Sequence, residues 1–238
     1  MIDPIGRLAM ISGANRGIGR AVAQRLYDEG YALSLGARRP DALSTLTAAM
    51  DPARVMTRPY EALDADAAQH WVDATKKRFG RIDVLINNAG ILASVSAEVG
   101  DESELDLMWD VNARGPFRMI RAAWPHLKAS GSGRIVNVAS LSGLRVKSPA
   151  ATGYSMSKLA LVALTNGIRL EGWPHGIRAA ALCPGFVATD MSDGWAGVPA
   201  ETMVQPDTIA RMTAFLIALP NEASVASWAV NCQPEPGW

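Results

Sequence analysis

A tyrosine and a lysine four residues apart, Tyr154 and Lys158, have the types and spacing that proton transfer requires. Side chains at positions i and i+4 lie on one face of a helix, so these two are expected to be neighbours. An ammonium group near a phenol favours the phenolate, which predicts a tyrosine that exchanges protons nearer neutral pH. Together with a glycine-rich turn far upstream, the pair predicts hydride chemistry at a carbonyl or an alcohol.

The glycine-rich turn contains Gly13, Gly17 and Gly19, which follow an apolar strand at residues 8–11 and open a helix. Glycines let the backbone approach a pyrophosphate closely, and a helix N-terminus presents free N–H groups to it. The GxxxGxG spacing differs from the general GxGxxG fingerprint, and no Lys-Ser/Thr pair follows as in a Walker A loop. The turn predicts a nucleotide site, with a tight strand–helix connection that binds nothing as the alternative.

The end of the second predicted strand, at residues 31–35, bears on which nicotinamide cofactor would bind. NAD enzymes usually place an acid there for the ribose hydroxyls, whereas NADP enzymes use arginine for the 2′-phosphate. This chain has Arg38 and Arg39 and no acid at that point, and Arg16 of the glycine turn could reach the same phosphate. We therefore predict NADP(H), with NAD(H) and solvated surface arginines as the alternatives.

Composition narrows the class of protein further. The chain has 238 residues, 49% hydrophobic and 19% charged, with zero formal net charge, which is typical of a folded enzyme and argues against nucleic-acid or anionic-membrane partners. Cys183 and Cys232 are too few for a disulfide framework or a structural zinc site, so no metal is predicted. No leader pattern and no run of about 18 apolar residues is present, so we expect a cytoplasmic protein.

Short apolar strands alternate with helical patterns along the whole chain. About seven strands are predicted, with helices that include residues 41–50, 102–129 and 154–172. This alternation predicts an α/β fold, a Rossmann-type doubly wound parallel sheet with helices on both faces, in one domain over residues 1–238. Ligands of such sheets bind at the carboxyl ends of the strands. Residues 186–205, rich in Gly, Pro, Met and Trp, are predicted to form a substrate lid.

Further motifs follow in order: Asn87-Asn88-Ala89-Gly90 after the fourth strand, then Asn112, then Ser140 at the end of the fifth strand. The segment Pro184-Gly185-Phe186-Val187-Ala188-Thr189 comes after the Tyr154/Lys158 pair. With the glycine turn, this set resembles the short-chain dehydrogenase/reductase family from about Arg7 to Met191.

The resemblance implies a role for each polar residue of the set. Tyr154 would be the general acid in reduction and the general base in oxidation, while Lys158 would lower its pKa and hold the nicotinamide ribose. Ser140 would donate a hydrogen bond to the carbonyl oxygen, and Asn112 would hold a proton-relay water. The gap from Ser140 to Tyr154 is one residue longer than usual, so Ser142 is a rival for the oxyanion role.

The resemblance also implies a cofactor groove and a homotetramer or homodimer. Glu61 stands where an aspartate usually contacts adenine, and Val187 and Thr189 would contact the carboxamide and the phosphates. The groove would be lined by Gly13, Asn15, Arg16, Gly17, Ile18, Gly19, Arg38, Arg39, Glu61, Asn88, Ala89, Gly90, Tyr154, Lys158, Pro184, Gly185, Val187 and Thr189.

The substrate is expected to contact Ser140, Tyr154, Met191 and Trp195, although the last two would equally suit subunit packing. The lid lacks an arginine cluster for an anionic tail, so we predict a small or medium neutral carbonyl or its alcohol. The predicted function is NADP(H)-dependent hydride transfer by a Ser-Tyr-Lys-Asn mechanism. The alternatives are an NAD-dependent alcohol or polyol dehydrogenase and a non-catalytic nucleotide-binding regulator.

Overall fold

A computed structural model describes residues 1–193 and 197–234, and within it seven parallel strands form one sheet. The spatial order of the strands is β3-β2-β1-β4-β5-β6-β7, with every neighbouring pair parallel. The predicted Rossmann-type fold is thereby confirmed. The strands are β1 Leu8–Ser12, β2 Ala32–Ala37, β3 Val55–Pro59, β4 Val84–Asn87, β5 Arg134–Val138, β6 Arg178–Pro184 and β7 Ser227–Val230.

Helices connect the strands and cover both faces of the sheet. On one face, Val22 of the first helix and Ile209 of the last pack on the strands, while on the other Trp71 and Met119 do so. The strands are buried on both sides, as continuous apolar runs require. The helices are α1 Gly17–Asp28, α2 Ser44–Thr47, α3 Ala67–Phe79, α4 Glu102–Trp109, α5 Gly115–Ala129, α6 Thr152–Gly172 and α7 Pro206–Ala218.

Two helix predictions need correction. The helix expected at residues 41–50 is a 3₁₀ turn, Pro40–Leu43, followed by the single turn of α2. The long helix expected at 102–129 is divided by a π-helical turn, Asp110–Arg114, between α4 and α5. Pro116 explains this division, because a proline cannot donate to the carbonyl four residues back and its ring clashes with it.

The predicted lid begins with an ordered base. Val187 pairs with Val204 as an isolated parallel bridge, and the Ser192 hydroxyl donates to the Val187 carbonyl oxygen at 2.6 Å. Trp195 lies outside the described residues, and movement of this segment over a substrate stays a prediction. No helix in the described ranges is long and apolar enough to span a bilayer.

Candidate active site

The glycine turn takes its shape from a close approach between the start of α1 and the loop after β1. Gly13 and Gly17 have positive φ angles of 66° and 51°, a conformation that residues with a Cβ rarely adopt. A Cβ on Gly19 would lie 2.2 Å from the Gly13 carbonyl oxygen and 2.4 Å from Asn88 Nδ2. Glycine is therefore required at position 19 because there is no room for a side chain beneath the turn.

Asn88 and Ser12 join the carboxyl ends of β4 and β1. Asn88 Nδ2 donates to the carbonyl oxygens of Ser12 and Gly13 at 3.0 and 3.1 Å. In return, the Ser12 hydroxyl accepts the backbone N–H groups of Asn88 and Ala89 at 3.0 and 3.1 Å. These four bonds fix the two loops that border the switch point of the sheet, where ligands of such folds bind.

A cavity of about 500 Å³ opens at this edge of the sheet and collects nearly all the predicted site residues. The predicted residues that line it are Gly13, Asn15, Arg16, Gly17, Ile18, Arg38, Arg39, Glu61, Asn88, Ala89, Gly90, Ser140, Tyr154, Lys158, Pro184, Gly185, Val187, Thr189 and Met191. Of the other predicted residues, Gly19 and Asn112 are not among its lining and Trp195 lies outside the described residues. Further lining residues, which were not predicted from the sequence, include Tyr60, Ile91, Val111, Asp190 and Ser192.

Ser140 and Tyr154 come together on the wall of this cavity. The Tyr154 hydroxyl shares a hydrogen bond with the Ser140 side chain. The Ser140 hydroxyl also accepts the backbone N–H of Ser142 at 3.1 Å and donates to the Pro184 carbonyl oxygen at 3.4 Å. Ser142 is absent from the described lining of the cavity, so the geometry favours Ser140 over its rival.

The environment of Tyr154 changes its proton affinity in the direction opposite to the prediction. Burial raises the pKa of Tyr154 to about 12, and the hydrogen bond shared with Ser140 lowers it only in part. The ammonium of Lys158 lies 5.7 Å from the centroid of the tyrosine ring. The expectation of a pKa nearer neutrality is wrong for this structure, because desolvation of the phenolate outweighs the hydrogen bond shared with Ser140.

Lys158 is a buried cation, with 4% of its surface exposed. Its ammonium donates to the Val138 carbonyl oxygen at 2.9 Å. Burial lowers the pKa of Lys158 to about 8, an effect that the nearby Cys183 opposes. A small change in the surroundings of Lys158 can therefore shift its pKa across the physiological range.

Asn112 lies in the π-helical turn with no exposed surface. Its Oδ1 accepts the backbone N–H of Ile91 and its Nδ2 donates to the Ile91 carbonyl oxygen, both at 2.9 Å. A further bond joins Nδ2 to the Ser157 hydroxyl at 3.0 Å. A Cβ on Gly90 would lie 3.2 Å from Asn112 Oδ1 and 3.4 Å from Lys158 Nζ, so glycine there leaves room for both groups.

A ladder of buried polar side chains, which was not predicted from the sequence, lies beneath the site. Asn87 Nδ2 donates to Asn137 Oδ1, and Asn137 Nδ2 donates to Thr165 Oγ1, both at 2.8 Å. The Thr165 hydroxyl then donates to the Leu161 carbonyl oxygen at 2.7 Å. The ladder ties α6 to the ends of β4 and β5 and so fixes the helix that carries Tyr154. The asparagine at the end of each of two adjacent strands was its signal in the sequence.

The three arginines predicted to bind a 2′-phosphate all line the cavity. Arg38 and Arg39 are exposed where β2 ends. Arg16, in the glycine turn, forms an ion pair at 2.8 Å with Asp190, which follows β6. Within residues 1–193 and 197–234, no group of three or more His, Cys, Asp or Glu side chains is placed to hold a metal ion.

The strand order and the glycine turn at the β1–β4 switch point are those of a dinucleotide-binding protein. Comparison with known proteins is more specific, since the family model for short chain dehydrogenase matches residues 7–197. The chain belongs to this family of oxidoreductases, which bind a nicotinamide cofactor.

Three similar proteins illustrate the range of the family. The chain is 42% identical over 229 residues to an agropine synthesis reductase of Rhizobium rhizogenes. The aligned region covers 95% of this chain and 52% of that protein. It thus spans about half the length of that relative. It is 36% identical to a putative ketoacyl reductase of Streptomyces coelicolor, over 94% of each chain. An alcohol dehydrogenase from the archaeon Thermococcus sibiricus, solved with 5-hydroxy-NADP, superposes with a TM-score of 0.88 at 31% identity, covering 98% of this chain and 99% of that one.

Proposed function

We propose that this protein is an NADP(H)-dependent oxidoreductase that reduces a small or medium ketone or aldehyde, or oxidises the corresponding alcohol. The observation that carries the proposal is the meeting of Ser140, Tyr154 and Lys158 in one cavity with the glycine turn. The glycine turn and the proton-transfer groups are far apart in the sequence, but both line one cavity of about 500 Å³.

The cavity suits a nicotinamide dinucleotide. Gly13 and Gly17 expose backbone on its wall in a conformation that other residues rarely adopt, beside the start of α1. N–H groups at a helix start favour a pyrophosphate. Bound there, the cofactor would supply the hydride to the substrate carbon or accept it. Asn88, Ala89 and Gly90 would border its groove, and Val187 and Thr189 would contact its carboxamide and phosphates.

The protein side chains would handle the proton and the developing charge. With a pKa of about 12, Tyr154 holds its proton at neutral pH, which suits a general acid that protonates the carbonyl oxygen during reduction. Ser140, hydrogen-bonded to Tyr154, would donate to the same oxygen. Lys158 would hold the ribose hydroxyls, and Asn112 behind it would position the relay water that replaces the proton.

The preference for NADP(H) rests on charge. Arg38 and Arg39 stand at the end of β2 and Arg16 stands in the glycine turn, all on the wall of one cavity. Guanidinium groups bind phosphate in two-point contacts, so this cluster suits a 2′-phosphate better than a ribose diol. The 5-hydroxy-NADP bound in the Thermococcus alcohol dehydrogenase is consistent with that preference.

Two secondary parts of the proposal concern the substrate and the assembly. Ile91, Val111 and Met191 add apolar surface to the cavity, which suits a neutral carbonyl compound. Large apolar side chains are exposed along α4, α5 and α6, and they would be covered in a homodimer or homotetramer. These side chains are Leu107, Trp109, Phe117, Leu159 and Leu170.

The decisive experiment compares the wild type with Tyr154→Phe. A panel of ketones and aldehydes is screened for oxidation of NADPH and NADH, and cofactor binding is followed separately by tryptophan fluorescence. We expect turnover with NADPH, and a loss of kcat of at least about 100-fold in the variant with cofactor affinity retained. Substantial activity in the variant would overturn the mechanism. Normal cofactor binding without turnover of any carbonyl would instead favour a nucleotide-binding regulator.

A further inference from the structure

The contact between Arg16 and Asp190 joins two segments that border the cofactor cavity. One guanidinium nitrogen of Arg16 lies 2.8 Å from an Asp190 carboxylate oxygen, and both residues line the cavity. The glycine turn and the segment after β6 are also in contact beside this pair, since a Cβ on Gly17 would lie 3.1 Å from Thr189 Cγ2. The ion pair therefore spans the groove between the two segments.

The negative charge of Asp190 lies beside Arg16, the arginine of the glycine turn that is proposed to bind the cofactor. Their side chains are 59% and 69% exposed, so the pair is hydrated and either partner can be replaced by another ion. Phosphate binds a guanidinium at least as strongly as a carboxylate does, because it carries more charge and more acceptor oxygens. Asp190 engages only the Nη1 nitrogen of Arg16, so a phosphate on the same guanidinium would either displace the carboxylate or bind beside it and be repelled by its charge.

We propose that Asp190 is a specificity-determining residue that competes with the 2′-phosphate of NADP(H) for Arg16. The inference rests on the proposed cofactor site. Arg16 would exchange Asp190 for the phosphate when NADP(H) binds, and would keep Asp190 when NAD(H) binds. The carboxylate thereby weakens the binding of NADP(H) but not of NAD(H). It reduces the preference for NADP(H) over NAD(H) that Arg38 and Arg39 create.

The size of the effect follows from the exposure of the pair. Ion pairs in water between exposed side chains are weak, so removing the competing charge should tighten NADPH binding by about two- to fivefold. The effect should shrink as ionic strength rises, because exposed charges are screened over about 10 Å at 0.1 M salt. NADH binding should change by much less, since NADH has no group that displaces Asp190.

The test is a titration of Asp190→Asn with NADPH and NADH at low salt, followed by tryptophan fluorescence. Asparagine keeps the shape of the side chain and removes its charge. A matched control is Asp207→Asn, which breaks the Asp207–Arg211 pair of the same 2.8 Å length and similar exposure at the start of α7. Combining Asp190→Asn with Arg16→Gln completes a double-mutant cycle.

The fragments 2′,5′-ADP and 5′-ADP separate the two phosphate positions. We expect Asp190→Asn to tighten NADPH and 2′,5′-ADP, to leave NADH and 5′-ADP nearly unchanged, and to lose its effect without Arg16. Thermal unfolding confirms that each variant is folded.

Two different failures can be told apart. If the wild type prefers NADPH but Asp190→Asn alters neither Kd, or tightens both cofactors equally, the competition is overturned and the cofactor assignment stands. Equal tightening would mean that Asp190 acts on the shared pyrophosphate. If the wild type binds NADPH no more tightly than NADH, and Arg16→Gln changes neither Kd, then the cofactor assignment fails and the competition fails with it.

Discussion

Replacing Lys158 by methionine should remove activity and also relieve the folded protein of a buried charge. Lys158 is 4% exposed, and burial lowers its pKa from the ordinary 10.5 to about 8. Methionine has a similar unbranched stem and can fill the same space without a charge. The substitution therefore separates the electrostatic cost of this residue from the volume it occupies.

The magnitude follows from the pKa. Between pH 8 and 10.5 the folded protein binds fewer protons at this site than the unfolded chain does, so this group makes stability rise with pH through that window. Below pH 8 the penalty is fully present, at about 3 kcal/mol for a pKa lowered this far. The Val138 carbonyl would lose its donor in the variant, which costs about 1–3 kcal/mol. At pH 7 the two effects nearly cancel or favour the variant.

The assay is denaturant unfolding of both proteins at pH 7 and pH 9, at one protein concentration and without cofactor. Between the two pH values the stability of the wild type should rise by about 1 kcal/mol relative to the variant. Titration of Lys158 is the pH-dependent difference between the two proteins, and the loss at Val138 is independent of pH. Lys147→Met, which removes an exposed lysine, is the control for loss of a surface charge. A difference between wild type and Lys158→Met that stays constant with pH would refute the reasoning.

Two further predictions concern the glycine turn and the serine pair. Gly19→Ala should lose most NADPH binding and unfold at a lower temperature, because its Cβ would meet a backbone carbonyl oxygen at 2.2 Å; wild-type affinity in a fluorescence titration would contradict this. Ser140→Ala should lower kcat by about 100-fold or more, whereas Ser142→Ala should stay near wild type in the same ketone-reduction assay, because only Ser140 adjoins Tyr154 on the cavity wall. The reverse order of these two effects would reassign the oxyanion role.

The fold was predictable because its signals are local. Each strand is a short apolar run, and parallel pairing then follows from the alternation with helices. The same holds for Ser140, which follows β5, because the carboxyl ends of parallel strands converge on one edge. Tyr154 and Lys158 stand four residues apart near the start of α6, a spacing that is also a local signal. The features that were not predicted depended on contacts between distant segments. Arg16 and Asp190 are 174 positions apart, and no local pattern pairs them.

The pKa of Tyr154 shows the same division. The spacing of Tyr154 and Lys158 correctly predicted neighbours on one helix, and their charges suggested a lowered tyrosine pKa. Burial decides the sign instead, and burial is a property of the packed cavity rather than of the helix. The π-helical turn was predictable only in part. Pro116 indicates that the helix is disturbed near this position, but a kink or a break would be equally compatible with a proline there.

The two bonds between Asn112 and Ile91 have a consequence for how such a site can diversify. The carboxamide offers one donor and one acceptor to the backbone of Ile91, as a neighbouring peptide would in a sheet. A side chain thus holds this loop through its main chain alone, and the side chain at position 91, on the cavity wall, takes no part. Substitutions at position 91 can reshape the pocket while the anchor stays in place. An aspartate at position 112, with two acceptors and no donor, would keep the bond from the Ile91 N–H and lose the one to its carbonyl oxygen.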